Sequence, residues 1–134
     1  MIRVFKEKIE HIAIWSKDIE RLKDFYIKYF RAKANDGYHN KTKGFRSYFL
    51  SFDDGSRLEI MNMDGILEIE KSDSQYLGYS HLAMNVGTKD DVIELTERIR
   101  CDGYEVVGEP RTTGDGYFES VILDPDGNRI EITC

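Results

Sequence analysis

The chain of 134 residues has only two cysteines, Cys101 and Cys134. They have no ligand-type spacing and make no disulfide framework. A closed structural zinc site built from thiolates is therefore disfavoured. Two reduced thiols in a cytoplasmic protein are the expectation. An excess of positive charge is missing too: Asp and Glu number 25 against 19 Lys and Arg, a net charge of −6. This argues against nucleic acid or an anionic membrane as the main partner. No apolar run approaches the ~20 residues of a membrane span. The start, Met1-Ile2-Arg3-Val4-Phe5-Lys6, lacks the long apolar segment of a signal peptide. With 40% hydrophobic and 33% charged residues the chain is not of the disordered kind. Its length suits one compact unit or two small fused modules.

What the chain does have is a repeat. Asp126-Gly127-Asn128-Arg129-Ile130-Glu131-Ile132 says again what Asp54-Gly55-Ser56-Arg57-Leu58-Glu59-Ile60 said 72 residues earlier (126 − 54). Ser16-Lys17-Asp18 recurs as Thr88-Lys89-Asp90 at the same offset, and Phe45 to Phe52 aligns with Tyr117 to Asp124 without a gap. His11-Ile12-Ala13-Ile14 recurs as His81-Leu82-Ala83-Met84 at an offset of 70. Two copies of ~60 residues are each too small for a good core and would share one. With only two copies, a solenoid is excluded.

Each copy reads as βαβββ. Ile9 to Trp15 is short, apolar and β-branched, and places Ile9, His11, Ala13 and Trp15 on one face of a strand. Ser16 can cap the helix that follows. Ile19, Leu22, Phe25, Tyr26, Tyr29 and Phe30 keep helical spacing. An edge strand running into a loop is expected in Lys33 to Asn40. Phe45 to Phe52 and Arg57 to Met63 form a hairpin about the Asp53-Asp54-Gly55 turn. In the second copy Tyr79 to Val86 is the first strand. Thr88 and Asp91 make a capping box, and Val92, Leu95 and Ile99 form the apolar stripe of a helix stopped near Gly103. Glu105 to Val107 is a short strand and Pro110 to Gly116 a loop. Tyr117 to Leu123 and Asn128 to Thr133 close the copy. The expected organisation is one domain, 1–134, of two modules, 9–63 and 79–133, joined by a linker, 64–78.

Four residues stand at equivalent places: His11 and His81 on the first strands, Glu59 and Glu131 on the last. Packing alone does not ask a duplicated fold to keep His and Glu. Two imidazoles and two carboxylates make a mixed nitrogen and oxygen shell. It suits one divalent ion, Zn, Ni, Co, Mn or Fe, with positions open for water or substrate. The alanines two residues after each histidine, Ala13 and Ala83, leave room beside the imidazoles.

At these residues the chain resembles the vicinal oxygen chelate superfamily of glyoxalase I, fosfomycin- and bleomycin-resistance proteins, methylmalonyl-CoA epimerase and extradiol dioxygenases. The resemblance runs from His11 to Ile132. His11-x-Ala, His81-Leu-Ala and Asp124-Pro-Asp-Gly-Asn-Arg-Ile-Glu carry it. It implies an α+β fold whose paired βαβββ modules form a curved, half-open barrel about a metal held by His11, Glu59, His81 and Glu131. That ligand order is similar to bacterial glyoxalase I. The resemblance breaks where glyoxalase I holds glutathione: an Arg four residues after the first His and an Asn four after the first metal-binding Glu are here Trp15 and Met63. A charged γ-glutamyl group would lose its ion pair there.

The resemblance implies a metal-dependent lyase or isomerase acting on a small 2-oxo or 2-hydroxy substrate, not strictly dependent on glutathione. The metal would stabilise an enediolate, with Glu131 as base and Glu59 as its counterpart. Trp15, Tyr48, Met63 and Tyr117 are candidates for the substrate wall. The alternative is a small-molecule binding or resistance protein of the same fold without enediolate chemistry. An oxygenase is disfavoured because a fourth ligand would occupy the position that oxygen needs. Small modules leave sheet edges and apolar rims open, so a homodimer with metal sites at or near its interface is expected.

Overall fold

The duplication is repeated in three dimensions in the computed structural model, which describes residues 6–69 and 75–134. The first module contains β1 (His11–Trp15), α1 (Ile19–Phe30), β2 (Lys33–Ala34), β3 (Tyr38–Asn40), β4 (Phe45–Ser51) and β5 (Arg57–Met63). The second contains β6 (His81–Asn85), α2 (Lys89–Cys101), β7 (Val106–Thr112), β8 (Phe118–Leu123) and β9 (Arg129–Thr133). Their sheets run β1-β5-β4-β2, with β3 also on β4, and β6-β9-β8-β7. In each, the first strand lies parallel to the last and the remaining pairs are antiparallel. The segment read as one edge strand, Lys33 to Asn40, is two short strands that both pair with β4. Residues 70–74 of the expected linker lie outside the described residues. Among the described residues no helix is long and apolar enough to cross a membrane.

Local chemistry explains the helix ends. Asp18, not Ser16, caps α1: its carboxylate accepts from the Arg21 N–H at 3.1 Å. The Ser16 hydroxyl instead accepts from the Asp18 N–H, holding the cap in place. The helix stops at Arg31, whose left-handed φ of 56° is unusual for a residue with a Cβ. α2 carries the expected capping box between Thr88 and Asp91. Beyond Asp102, Gly103 takes φ 95°, and the Tyr104 N–H returns to the Ile99 carbonyl. The stripe of α2 is Val92, Thr96 and Ile99 with Leu95 half-buried. Thr96 is tolerated in the core because its hydroxyl bonds the Val92 carbonyl and Ser120.

One expectation fails in the second module. The strand β7 runs on through Pro110 to Thr112, where a loop is expected. Proline is acceptable there because β7 is the outer strand and its pairing with β8 is already interrupted by register shifts.

The six residues read as the apolar face of α1 are all buried and belong to one core with residues of both modules. Phe25 meets Tyr104 at 5.0 Å between ring centroids. The Tyr26 hydroxyl donates to Asp124 at 3.2 Å, and the Tyr29 hydroxyl to Asp102 at 2.5 Å. Arg98 of α2 returns a bond to the Lys28 carbonyl. Asp124 also accepts from the backbone of Asp126 and Asn128 and from the Asn128 side chain, each at 2.9 Å. Burial raises its pKa, and the bonds from Asn128 oppose that shift. The repeated turn of the second module is thus tied to the helix of the first.

Two predictions follow from this packing. Tyr26→Phe leaves buried Asp124 without one donor and should cost about 1–3 kcal/mol. A denaturation midpoint that falls with unchanged m-value would show it, and an unmoved midpoint would refute it. The second concerns Glu20, whose pKa is held down to about 2 from 4.5 by hydrogen bonds from Lys23 first and Tyr48 next. A lowered folded-state pKa gives stability that is present above pH 4.5 and is lost as pH falls towards about 2. Wild type should lose more stability across that window than Glu20→Gln, and equal slopes would count against the assignment.

Candidate functional site

Strand alternation turns the core residues of each first strand one way and the histidines the other. Ile14 packs on the core, while His11, Ala13 and Trp15 face away from it. In β6, Leu82 and Met84 pack inward and His81, Ala83 and Asn85 face out. The parallel pairing then fixes the neighbours. Ala13 is opposite Glu59 and Ala83 is opposite Glu131, so a methyl group stands beside each carboxylate. Each carboxylate leans back to the histidine of its own module. His11 Nε2 lies 3.8 Å from Glu59 Oε1, and His81 Nε2 lies 2.8 Å from Glu131 Oε1.

The other ring nitrogens face the residues just before them. His81 Nδ1 meets the Ser80 hydroxyl at 3.0 Å, and His11 Nδ1 lies 3.5 Å from the Glu10 carboxylate. Such partners orient an imidazole so that its remaining nitrogen is the available ligand. The donor set therefore fits a divalent ion in chemistry: Nε2 and a carboxylate oxygen, twice. In position, one chain offers the set in two halves. Among the described residues no three His, Cys, Asp or Glu side chains stand close enough together to hold a metal.

The two halves sit in different surroundings. On the first sheet, Phe49 meets the His11 ring edge-on at 5.2 Å, and Trp15, 44% exposed, meets Phe45 at 6.3 Å. Pairing of Glu59 with Phe49 and Met63 with Phe45 puts Met63 on this same face. Tyr48 does not belong to it. Its hydroxyl donates to Glu20 of α1 at 2.6 Å, and Lys23 covers its ring. The parity of β4 places Tyr48 with Leu50 on the helix side, so the expectation that it lines a substrate wall is corrected. Tyr117 is 54% exposed just before β8.

The second half is polar. An open pocket of about 390 Å³ is lined by Ser80, His81, Arg111, Glu119, Arg129 and Glu131, among others. Glu119 was not among the expected site residues. Its pKa is raised, by burial first and then by the hydrogen bond it shares with Glu131, while Arg111 across the strand pair opposes the shift. The repeat hid it, because the equivalent position of the first module (119 − 72) is Ser47. A larger cleft, about 1070 Å³, lies mostly on the helix side of β6, against Leu82, Met84 and Leu95. It shares His81 but none of the three other expected ligands.

A model of the Glyoxalase/Bleomycin resistance protein/Dioxygenase superfamily matches residues 8–132, and the chain belongs to that superfamily. The uncharacterized protein YqjT of Bacillus subtilis (strain 168) is 31% identical over 61 residues, 43% of this chain and 48% of that protein. The match thus spans about half of that relative. A glyoxalase family protein from Enterococcus faecalis has the same fold, with a TM-score of 0.77 and 25% identity over 98% of this chain and 100% of that one. Glyoxalase I from Zea mays is similar in fold at a TM-score of 0.71 and 21% identity, over 94% of this chain and 44% of that chain.

Proposed function

We propose that the chain is a metal-dependent lyase or isomerase of the glyoxalase I-like type, acting on a small 2-oxo or 2-hydroxy compound. The observation that carries this reading is the pair of His–Glu half-sites, His11 with Glu59 and His81 with Glu131, at equivalent registers of a duplicated fold. A divalent ion such as Zn, Ni, Co, Mn or Fe would supply Lewis acidity towards two vicinal substrate oxygens, which lowers the energy of an enediolate. The chain's residues do the rest. Glu131 takes the proton from the carbon next to the carbonyl, and Glu59 returns one on the way to product. Ser80 and Glu10 orient the two imidazoles. Trp15 and Met63 give the first half an apolar wall. Tyr117, near the second half, is the remaining candidate for contact with substrate.

Two half-sites per chain complete one another when two copies meet. Among the described residues, strands β1 and β6 are both edge strands, with one side of each free for a neighbour. Leu67, Ile69, Leu77 and Tyr79, between the modules, are at least 78% exposed and would gain from cover. We therefore infer a homodimer in which the first half-site of one chain faces the second half-site of its partner. Protein purified without chelator should carry one equivalent of divalent metal per chain by elemental analysis. His11→Ala and His81→Ala should each lose it, and mixing the two variants should restore one site in every heterodimer. Unchanged metal in both single variants would remove the ligand assignment. Failure to restore any metal on mixing would place all ligands of a site in one chain.

The reading also separates this chain from a glutathione-dependent enzyme. Trp15 lies against Phe45 and offers no cation to a γ-glutamyl carboxylate. The Asn62 amide is already bonded to the Ser16 carbonyl at 2.7 Å. Formation of S-lactoylglutathione from methylglyoxal and glutathione, with Ni or Zn supplied, should be weak or absent. Turnover in the ordinary enzyme range of roughly 1–1000 per second would refute that reading of Trp15 and Met63.

A further inference from the structure

The duplicated Asp-Gly-x-Arg turn delivers one arginine beside each histidine: Arg57 pairs across the strands with His11, and Arg129 with His81. Their environments differ. Arg57 is held by an ion pair to Glu10 and lies over the Phe49 ring at 4.3 Å. In the second module Ser80 stands where Glu10 stands in the first (80 − 70), and Val121 where Phe49 stands (121 − 72). Arg129 has lost both partners. Among the described residues it forms no ion pair and no side-chain hydrogen bond. It lines the pocket that contains His81 and Glu131.

A guanidinium facing an open pocket with no anion of its own is a receptor for one. The carboxylates that share the pocket have other neighbours. Asp115 accepts the Thr113 hydroxyl, Glu131 lies 2.8 Å from His81, and Arg111 is set across from Glu119. We propose that Arg129 is the specificity-determining residue of the His81–Glu131 half-site and receives the carboxylate of an anionic substrate. The substrate class is then a 2-oxo or 2-hydroxy acid rather than an uncharged 2-oxo aldehyde or diketone. This rests on the reading of the site as one for vicinal oxygens, and it adds the charge of the group beside them.

Calorimetric titration of the metal-loaded full chain with pyruvate and with 2,3-butanedione tests it. Both present two vicinal oxygens, and only pyruvate carries a charge. Wild type should bind pyruvate at least about tenfold more tightly, the scale of one charge-assisted bond. Arg129→Gln should erase that preference without weakening butanedione, and Arg129→Lys should keep part of it. Ser80→Glu rebuilds the arrangement of Glu10 and Arg57 around Arg129 and should erase the preference as well. Ser80→Ala loosens His81 and should weaken binding of both compounds together, leaving the ratio between them unchanged. The same titrations in chelator separate the two readings. A preference that persists and depends on Arg129, with affinity indifferent to metal, would leave the anion site standing and remove the metal. A wild type that binds neither compound, or shows no preference, overturns the proposal. So does a preference that survives both Arg129→Gln and Ser80→Glu.

Discussion

The packing of the aromatic face of α1 against both modules is the interaction on which the remaining structure depends. Each module, at ~60 residues, is marginal by itself. Phe25, Tyr26 and Tyr29 are each 5% exposed or less, and they bridge to Tyr104, Asp124 and Asp102 of the second module. Each large buried side chain contributes about 1.5–3 kcal/mol, against about 0.5–1.5 for a net hydrogen bond. Packing therefore supplies most of the adhesion. The Tyr26–Asp124 bond sets orientation, because it ties one helix to the turn that launches β9 and hence Glu131. A shift of that turn would move a candidate ligand, so core and site are mechanically one object.

Alternation of strands does the rest. With a period of two, a residue cannot serve both the core and the outer face, and each strand divides its labour. In β9, Ile130 and Ile132 are fully buried while Glu131 is not. In β5, Leu58 and Ile60 flank Glu59 in the same way. The same constraint excludes Tyr48 from the outer face, since Leu50 two residues on is core. Small residues complete the arrangement. Ala13 and Ala83 sit opposite the two glutamates, and a larger side chain at either place would occupy the space through which the carboxylate reaches its histidine.

Much of this was legible in the sequence, for a physical reason. Duplicated motifs report positions under the same constraint twice, so the order of strands and helices, the face of α1, the capping box of Thr88 and Asp91, and the equivalent placement of the two His and the two Glu could be read directly. What could not be read was whatever the copies do not share. Glu119 has Ser47 as its counterpart and gave no repeat signal. The cap of α1 fell to Asp18 because two adjacent oxygens competed and only the helix geometry decides between them. Pro110 read as a loop because local propensity does not know which strand lies at the edge of a sheet.

Divergence between the copies then becomes the informative part. A perfectly symmetric pair of half-sites would treat both ends of a bound molecule alike. Here the first copy pairs its arginine with Glu10, surrounds His11 with Phe49, Phe45 and Trp15, and has Ser47 where the second has Glu119. The second copy replaces Glu10 by Ser80 and Trp15 by Asn85, at the same offset of 70. The two His–Glu pairs are retained, and the changed residues stand a strand or a residue away from them. The fold thus keeps the His and Glu positions symmetric while their surroundings differ. On the proposed reading, an apolar rim and a polar rim suit a molecule with two unlike ends, and Arg129, though repeated, is set apart from Arg57 by the unshared neighbours Ser80 and Val121.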